Sequence, residues 1–132
     1  YSAFANNGNM VKPFIEYKNE NKMKREYFKE NVFTSDAANT VKNDLIQVVE
    51  NPEGTATDMK IPGVTIAGKT GTAELKTTST DTESGTLGWF DCFTVDYNNN
   101  DMLIIGMVEN TQNNSSGGSH YVIKKIRSLF VK

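Results

Sequence analysis

The sequence predicts an α+β fold in which an antiparallel sheet is covered by helices, and three observations lead there. Apolar side chains recur at three- and four-residue spacing over 34–51 and again over 122–130, the mark of helices that bury one stripe. The stretches around 64–74, 87–97 and 102–108 are rich in β-branched and aromatic residues, which suit a pleated surface. The link between the last two is short enough to make them an antiparallel hairpin.

The elements follow in order. Tyr1 to Gly8 reads as the last turns of a helix, closed by Asn7 or Gly8 in a left-handed cap. No initiator Met and no N-cap precede it, so the reading expects further residues upstream of Tyr1. Residues 11–33 are mixed in character and predict irregular structure with a short hairpin, entered at Pro13, whose ring fixes the local backbone angle. A helix then starts at a Thr34 or Ser35 cap and buries Ala38, Val41, Leu45, Val48 and Val49. It stops near Asn51-Pro52, because a residue before proline resists helical geometry. Glu53 to Pro62 predicts a loop with Gly54 and Pro62 as breakers.

Val64 to Ala67 leads a strand into Gly68–Glu74, and residues 76–85 predict a polar, mobile loop. Leu87 to Tyr97 is the second strand, with Trp89, Phe93 and Val95 on one face and Phe90 and Cys92 on the other. Asn98-Asn99-Asn100 make a turn into Met102–Val108, which is apolar throughout. Strands apolar on both faces call for cover on both faces. A Ser/Gly-rich loop, Asn113 to Ser119, precedes a closing helix whose stripe of Val122, Ile123, Ile126, Leu129 and Phe130 can lie across the sheet. There is no internal repeat.

Length and charge exclude several classes. A chain of 132 residues is enough for one domain and can bury about two-thirds of its unfolded surface. The net charge of −2 argues against nucleic acid, which selects for a basic face. The cluster Lys124, Lys125 and Arg127 reads as a solvated helix end that complements the helix dipole. Cys92 is the only cysteine, so no internal disulfide and no cysteine-based zinc site can form, and no metal or cofactor is expected. A catalytic pairing of Cys92 with the single histidine, His120, is the weaker reading beside a buried structural thiol. No apolar run approaches the ~20 residues of a membrane span.

One segment carries chemistry and admits two readings. Gly63-Val64-Thr65-Ile66-Ala67-Gly68-Lys69-Thr70 fits the phosphate-binding pattern G-x-x-x-x-G-K-[ST]. That loop must follow a buried strand and open a helix, so that its amides converge on phosphate. Here Asp58–Pro62 is no buried strand, Val, Thr, Ile and Ala prefer extended backbone, and Gly71 is a poor helix opening. The same stretch contains Lys69-Thr70-Gly71, the K-T-G element of serine acyl-transfer enzymes that react with penicillins. A K-T-G by itself also fits an edge strand guarded by a lysine.

Its surroundings favour the second reading. Ala67-Gly68-Lys69-Thr70-Gly71-Thr72-Ala73-Glu74 resembles the third motif of class B penicillin-binding proteins. Gly88-Trp89-Phe90 looks like the start of their next strand, and Tyr1 to Gly8 resembles the helix end upstream of the motif. The resemblance runs the length of the chain. It implies the C-terminal portion, residues 1–132, of a penicillin-binding transpeptidase domain, an incomplete part of the serine β-lactamase/transpeptidase-like fold. The implied partners are a peptidoglycan stem peptide ending in D-Ala-D-Ala, β-lactam antibiotics, and the N-terminal part of the same domain. The implied location is the extracytoplasmic face of the bacterial cell membrane, with the anchoring segment outside this chain.

The chemistry suits the residues. A substrate with a terminal carboxylate wants a fixed positive charge and hydroxyl donors, which Lys69, Thr70 and Thr72 supply. Gly71 leaves space where an acyl group must approach the strand. The resemblance also makes the Thr72 backbone N–H one of the two donors of the oxyanion hole. The family's S-x-x-K and S-x-N motifs are missing: Ser2 precedes Ala5, Ser35 precedes Ala38, and Ser128 lies in the closing helix. The chain alone is therefore expected to be inactive. A β-lactam sensor, a β-lactamase, or a non-catalytic module on the same scaffold are the other readings of that fold.

Overall fold

The computed structural model describes residues 1–15, 25–81, 84–96, 101–113 and 116–131. The predicted turn at Asn98–Asn100 and much of the charged stretch before Lys29 lie outside the described residues. The chain forms two compact units, Tyr1–Asn43 and Asp44–Lys132.

In the first unit, helix α1 (Ser2–Ala5) ends as the sequence predicts. Asn7 and Gly8 both take positive φ, 51° and 93°, and the Gly8 N–H returns to the Ala3 carbonyl at 2.7 Å. Such a return satisfies an orphan carbonyl of the last helical turn. Strands β1 (Met10–Val11) and β2 (Tyr27–Lys29) pair antiparallel, which is the short hairpin expected in this region. Helix α2 (Ser35–Glu50) begins with Thr34 as its cap: the Thr34 hydroxyl accepts the Ala37 N–H at 3.2 Å.

The second unit begins with the end of α2 and a segment that the breakers Gly54 and Pro62 make look like plain loop. It is part of the core. Ala56 and Met59 are fully buried beside Val49 and Ile66, and residues Thr57–Met59 wind into a single 3₁₀ turn. The chain then turns at Ile61-Pro62-Gly63-Val64, where the Val64 N–H bonds the Ile61 carbonyl at 3.1 Å and Gly63 has φ 79°. Proline followed by a glycine of positive φ suits such a turn.

Strands β3 (Thr65–Glu74), β4 (Thr86–Val95) and β5 (Leu103–Val108) form an antiparallel sheet in the order β3-β4-β5. The register pairs Gly68 with Cys92, Lys69 with Asp91, Thr70 with Phe90 and Thr72 with Gly88. Phe90 in turn pairs with Gly106 of β5. Cross-strand partners share a face. One face therefore carries Ile66, Gly68, Thr70 and Thr72 of β3 with Phe90 and Cys92 of β4. Helix α3 (Gly118–Arg127) covers that face with Val122, Ile123 and Ile126 of the predicted stripe, whereas the helix ends before Leu129 and Phe130 and Leu129 is 68% exposed. Lys124 and Lys125 stay exposed in its last turn.

Glycines make room on this face for the Phe90 ring and for the helix. An added Cβ would fall 2.8 Å from the Phe90 ring at Gly68, 2.3 Å from the Gly118 carbonyl oxygen at Gly88, and 2.8 Å from Val122 and Ile126 at Gly106. The opposite face differs from expectation. Ala67 and Phe93 are buried there, yet Ile105 is 58% exposed, and Leu103, Met107 and Trp89 are exposed as well. The apolar run of β5 is covered on one side only among the described residues.

Candidate active site

Lys69, Thr70, Gly71 and Thr72 lie in the middle of β3, which has a strand neighbour on one side only among the described residues. Backbone groups of successive strand residues point to alternate edges. The Leu75 N–H donates to the Gly85 carbonyl across the continuation of the β3–β4 ladder at 3.0 Å. The odd-numbered residues of β3 thus face β4, and Thr70 and Thr72 present their N–H and C=O groups to the open edge. An unpaired strand N–H is a hydrogen-bond donor already fixed in place.

Side chains alternate on the other axis. Thr70 and Thr72 share the face covered by α3, whereas Lys69 and Gly71 share the opposite one. The two sets meet at the edge. The Lys69 ammonium donates to the Thr70 carbonyl at 2.9 Å, and that carbonyl points outward, so the charge sits at the rim of the strand. The Thr70 hydroxyl lies 2.8 Å from the Thr55 hydroxyl. Beside Thr72, the N-cap and first residue of α3 take positive φ, 57° at Gly117 and 37° at Gly118, and a Cβ on Gly118 would sit 2.7 Å from the Thr72 hydroxyl. The edge therefore gathers an ammonium, the hydroxyls of Thr70 and Thr72 and their two outward N–H groups within one short run of strand.

Gly71 differs from the other sheet glycines. A Cβ there would meet only Trp89 Cβ, at 3.4 Å, an ordinary contact. Packing requires glycine at positions 68, 88 and 106 but not at 71. A Cβ at Gly71 would have room among the described residues.

Asp91 stands opposite Lys69. Its Oδ1 is buried and accepts no hydrogen bond among the described residues, and burial raises its carboxyl above the ordinary value. The next residue, Cys92, is a buried thiol, pushed up to about 12 by burial first and by the neighbouring Asp91 second. A thiol so held is not a nucleophile near neutral pH. His120 stands by Asp58 at 3.5 Å on the surface.

The phosphate-loop reading fails on geometry. Residues 65–74 are one continuous strand, and no helix opens after Thr70. Alternating N–H groups diverge and cannot cradle a phosphate.

An α+β unit with an antiparallel sheet and a covering C-terminal helix has the fold of part of a penicillin-binding transpeptidase domain. The chain is similar to the TP domain from Burkholderia pseudomallei penicillin-binding protein 3, solved in its apo form. The TM-score is 0.64 and the identity 22%, over 98% of this chain and 39% of that one. It is also 38% identical over 130 residues to penicillin-binding protein 3 of Bacillus subtilis (strain 168), covering 98% of this chain and 19% of that protein. Residues 1–127 match the family described as the penicillin binding protein transpeptidase domain, and the chain belongs to that family. It spans about a fifth of the curated relative's length.

Thr55 was not visible in the sequence as a site residue. It lies in a segment of breakers, 15 positions from Thr70, and no periodicity or motif links the two.

Proposed function

We infer that this chain is the C-terminal portion of the transpeptidase domain of a peptidoglycan D,D-transpeptidase, working from the outer face of the bacterial cell membrane. The complete protein binds penicillins and cross-links stem peptides ending in D-Ala-D-Ala through a serine acyl-enzyme. Its serine comes from residues outside these 132, which contain no Ser-x-x-Lys. The single observation that carries the reading is the edge of β3 that has no strand neighbour among the described residues: the K-T-G ammonium sits at its rim, the Thr72 N–H points outward, and a Cβ at Gly71 would have room.

Each group has a role. The substrate carboxylate is held by the Lys69 charge and the Thr70 and Thr72 hydroxyls, whose charge-assisted contacts are the stronger kind. The carbonyl under attack lies along the edge by Gly71, with its oxygen toward the Thr72 N–H. That N–H gains most when the oxygen becomes an oxyanion, so it lowers the barrier rather than merely binding. The attacking serine, the second oxyanion donor and the proton acceptor belong to the rest of the domain. The chain alone is inactive.

Intact-mass analysis after incubation with a penicillin tests this. The complete protein is expected to gain one stoichiometric adduct and the isolated chain none. An adduct on the isolated chain would overturn the assignment of the serine elsewhere, and no adduct on the complete protein would overturn the reading as a whole. Acyl-enzyme lifetime separates the transpeptidase from a β-lactamase: a long-lived adduct is expected, and rapid turnover would favour the hydrolase.

A further inference from the structure

The contact of Thr55 with Thr70 joins two exposed hydroxyls, and such pairs usually trade freely with water. This one is different because the backbone on both sides of Thr55 is pinned. The Gly54 N–H donates to the Asn51 carbonyl at 2.8 Å, and Gly54 lies so close to the end of α2 that a Cβ would fall 2.4 Å from the Val48 carbonyl oxygen. Ala56 donates its N–H to that same Val48 carbonyl at 3.0 Å and buries its side chain completely. Thr55 is thus delivered to the edge of β3 by a segment anchored in the core, and holding the pair costs little further entropy.

At 2.8 Å either hydroxyl can donate to the other, and the two directions leave different protons free. Each hydroxyl has one proton to donate and two lone pairs. The Thr70 carbonyl is already taken by Lys69. With the Thr55 proton directed at Thr70 Oγ1, the Thr70 proton is left to donate elsewhere. A hydroxyl that accepts one bond donates a stronger one. That freed proton can serve the carboxylate assigned above to the K-T-G edge.

We propose that Thr55 is a positioning residue of the carboxylate site: its hydroxyl donates to Thr70 Oγ1 at 2.8 Å and so aims the Thr70 proton at the carboxylate of a stem peptide or β-lactam. The proposal rests on the K-T-G reading of the edge. Thr55 selects for substrates that carry the free carboxylate, and it does so without touching them.

The test uses the complete protein and two substrates, benzylpenicillin and its methyl ester, with the second-order acylation rate as readout. Thr55→Val keeps the branching and nearly the volume but removes the hydroxyl. It is expected to slow acylation by benzylpenicillin about three- to tenfold, the range for loss of one neutral hydrogen bond, and to leave the ester nearly unchanged. Thr55→Ser restores the hydroxyl and is expected to behave as wild type. A Thr70→Val/Thr55→Val pair is expected to be no worse than Thr70→Val alone, because the two act through one proton; this arm also stands if a single variant folds poorly. Equal losses on both substrates, no loss from Thr55→Val, a serine variant as slow as valine, or additive losses in the pair would each overturn the proposal. Lys69→Ala in the same assay separates the two levels. If it fails to distinguish the substrates, the carboxylate reading of the edge falls; if it distinguishes them and Thr55→Val does not, the role of Thr55 alone falls.

Discussion

Two glycines on neighbouring strands make opposite predictions, and together they separate what the fold needs from what the chemistry needs. Gly88 faces the first turn of α3, and a Cβ there would lie 2.3 Å from the Gly118 carbonyl oxygen. Ordinary contacts need about 3.5 Å, so Gly88→Ala forces the strand and helix apart by about 1 Å. Overpacking of this kind costs about 1–3 kcal/mol, a fall in Tm of several degrees. Gly71 is free of this constraint, since its Cβ would meet Trp89 at 3.4 Å. Gly71→Ala is expected to leave Tm unchanged or to raise it slightly, because alanine has less freedom to lose in the unfolded chain, an effect of about 0.4–1 kcal/mol. It should nevertheless slow acylation at least about tenfold, since a methyl group then occupies the approach to the edge; tenfold corresponds to about 1.4 kcal/mol of barrier. The assay is thermal melting with the penicillin acylation rate of the folded fraction, both in the complete protein. If Gly71→Ala melts as low as Gly88→Ala, the glycine serves packing. If it acylates at the wild-type rate, the space beside it is not used by substrate.

Further outcomes follow from the same geometry. Lys69→Ala is expected to slow acylation by a free-carboxylate penicillin by roughly 1.5–3 kcal/mol of charge-assisted contact, and the esterified compound less; equal losses would mean the lysine acts on chemistry or fold. Gly118→Ala places a Cβ 2.7 Å from the Thr72 hydroxyl on a backbone of positive φ, so it is expected to lower both Tm and acylation, and an unaltered protein would contradict the packing. Cys92→Ala removes a buried group and lowers stability, while acylation per folded molecule persists; abolished acylation with an intact melt would revive a thiol mechanism. The raised Cys92 value gives a sign as well. The folded thiol holds its proton up to about 12, whereas the unfolded one releases it from about 9.0. Its contribution is full below pH 9 and is lost as pH rises toward 12, so the fall in stability over that window is expected to be shallower in Cys92→Ala.

The sequence disclosed those features whose cause is local. The Thr34 cap, the Asn7-Gly8 helix end and the extended run through Lys69 follow from side-chain chemistry within a few positions, and the structure has them where they were expected. Features set by distant packing were hidden. Ala56 and Met59 sit among breakers, so their burial could not be read from periodicity. The one-sided exposure of β5 was missed because Leu103, Ile105 and Met107 are as apolar as the residues facing α3. Gly88 and Gly106 look like strand weakeners until the helix is laid on them, and Gly68 until the Phe90 ring of the neighbouring strand is. In the site, the K-T-G run was legible as a motif. The division of Lys69 and the threonines between two faces follows from strand alternation, and Thr55 depends on a contact that sequence does not encode locally.

The proposed function places the carboxylate and the oxyanion at the edge of β3. The most direct measurement is a crystal structure of the complete protein acylated by benzylpenicillin. It is expected to show the acyl carbonyl oxygen about 2.7–3.1 Å from the Thr72 backbone nitrogen, with the carboxylate on the Thr70 and Thr72 hydroxyls near the Lys69 ammonium. An acyl group whose carbonyl oxygen lies away from Thr72, or a carboxylate bound to none of these three side chains, would contradict it.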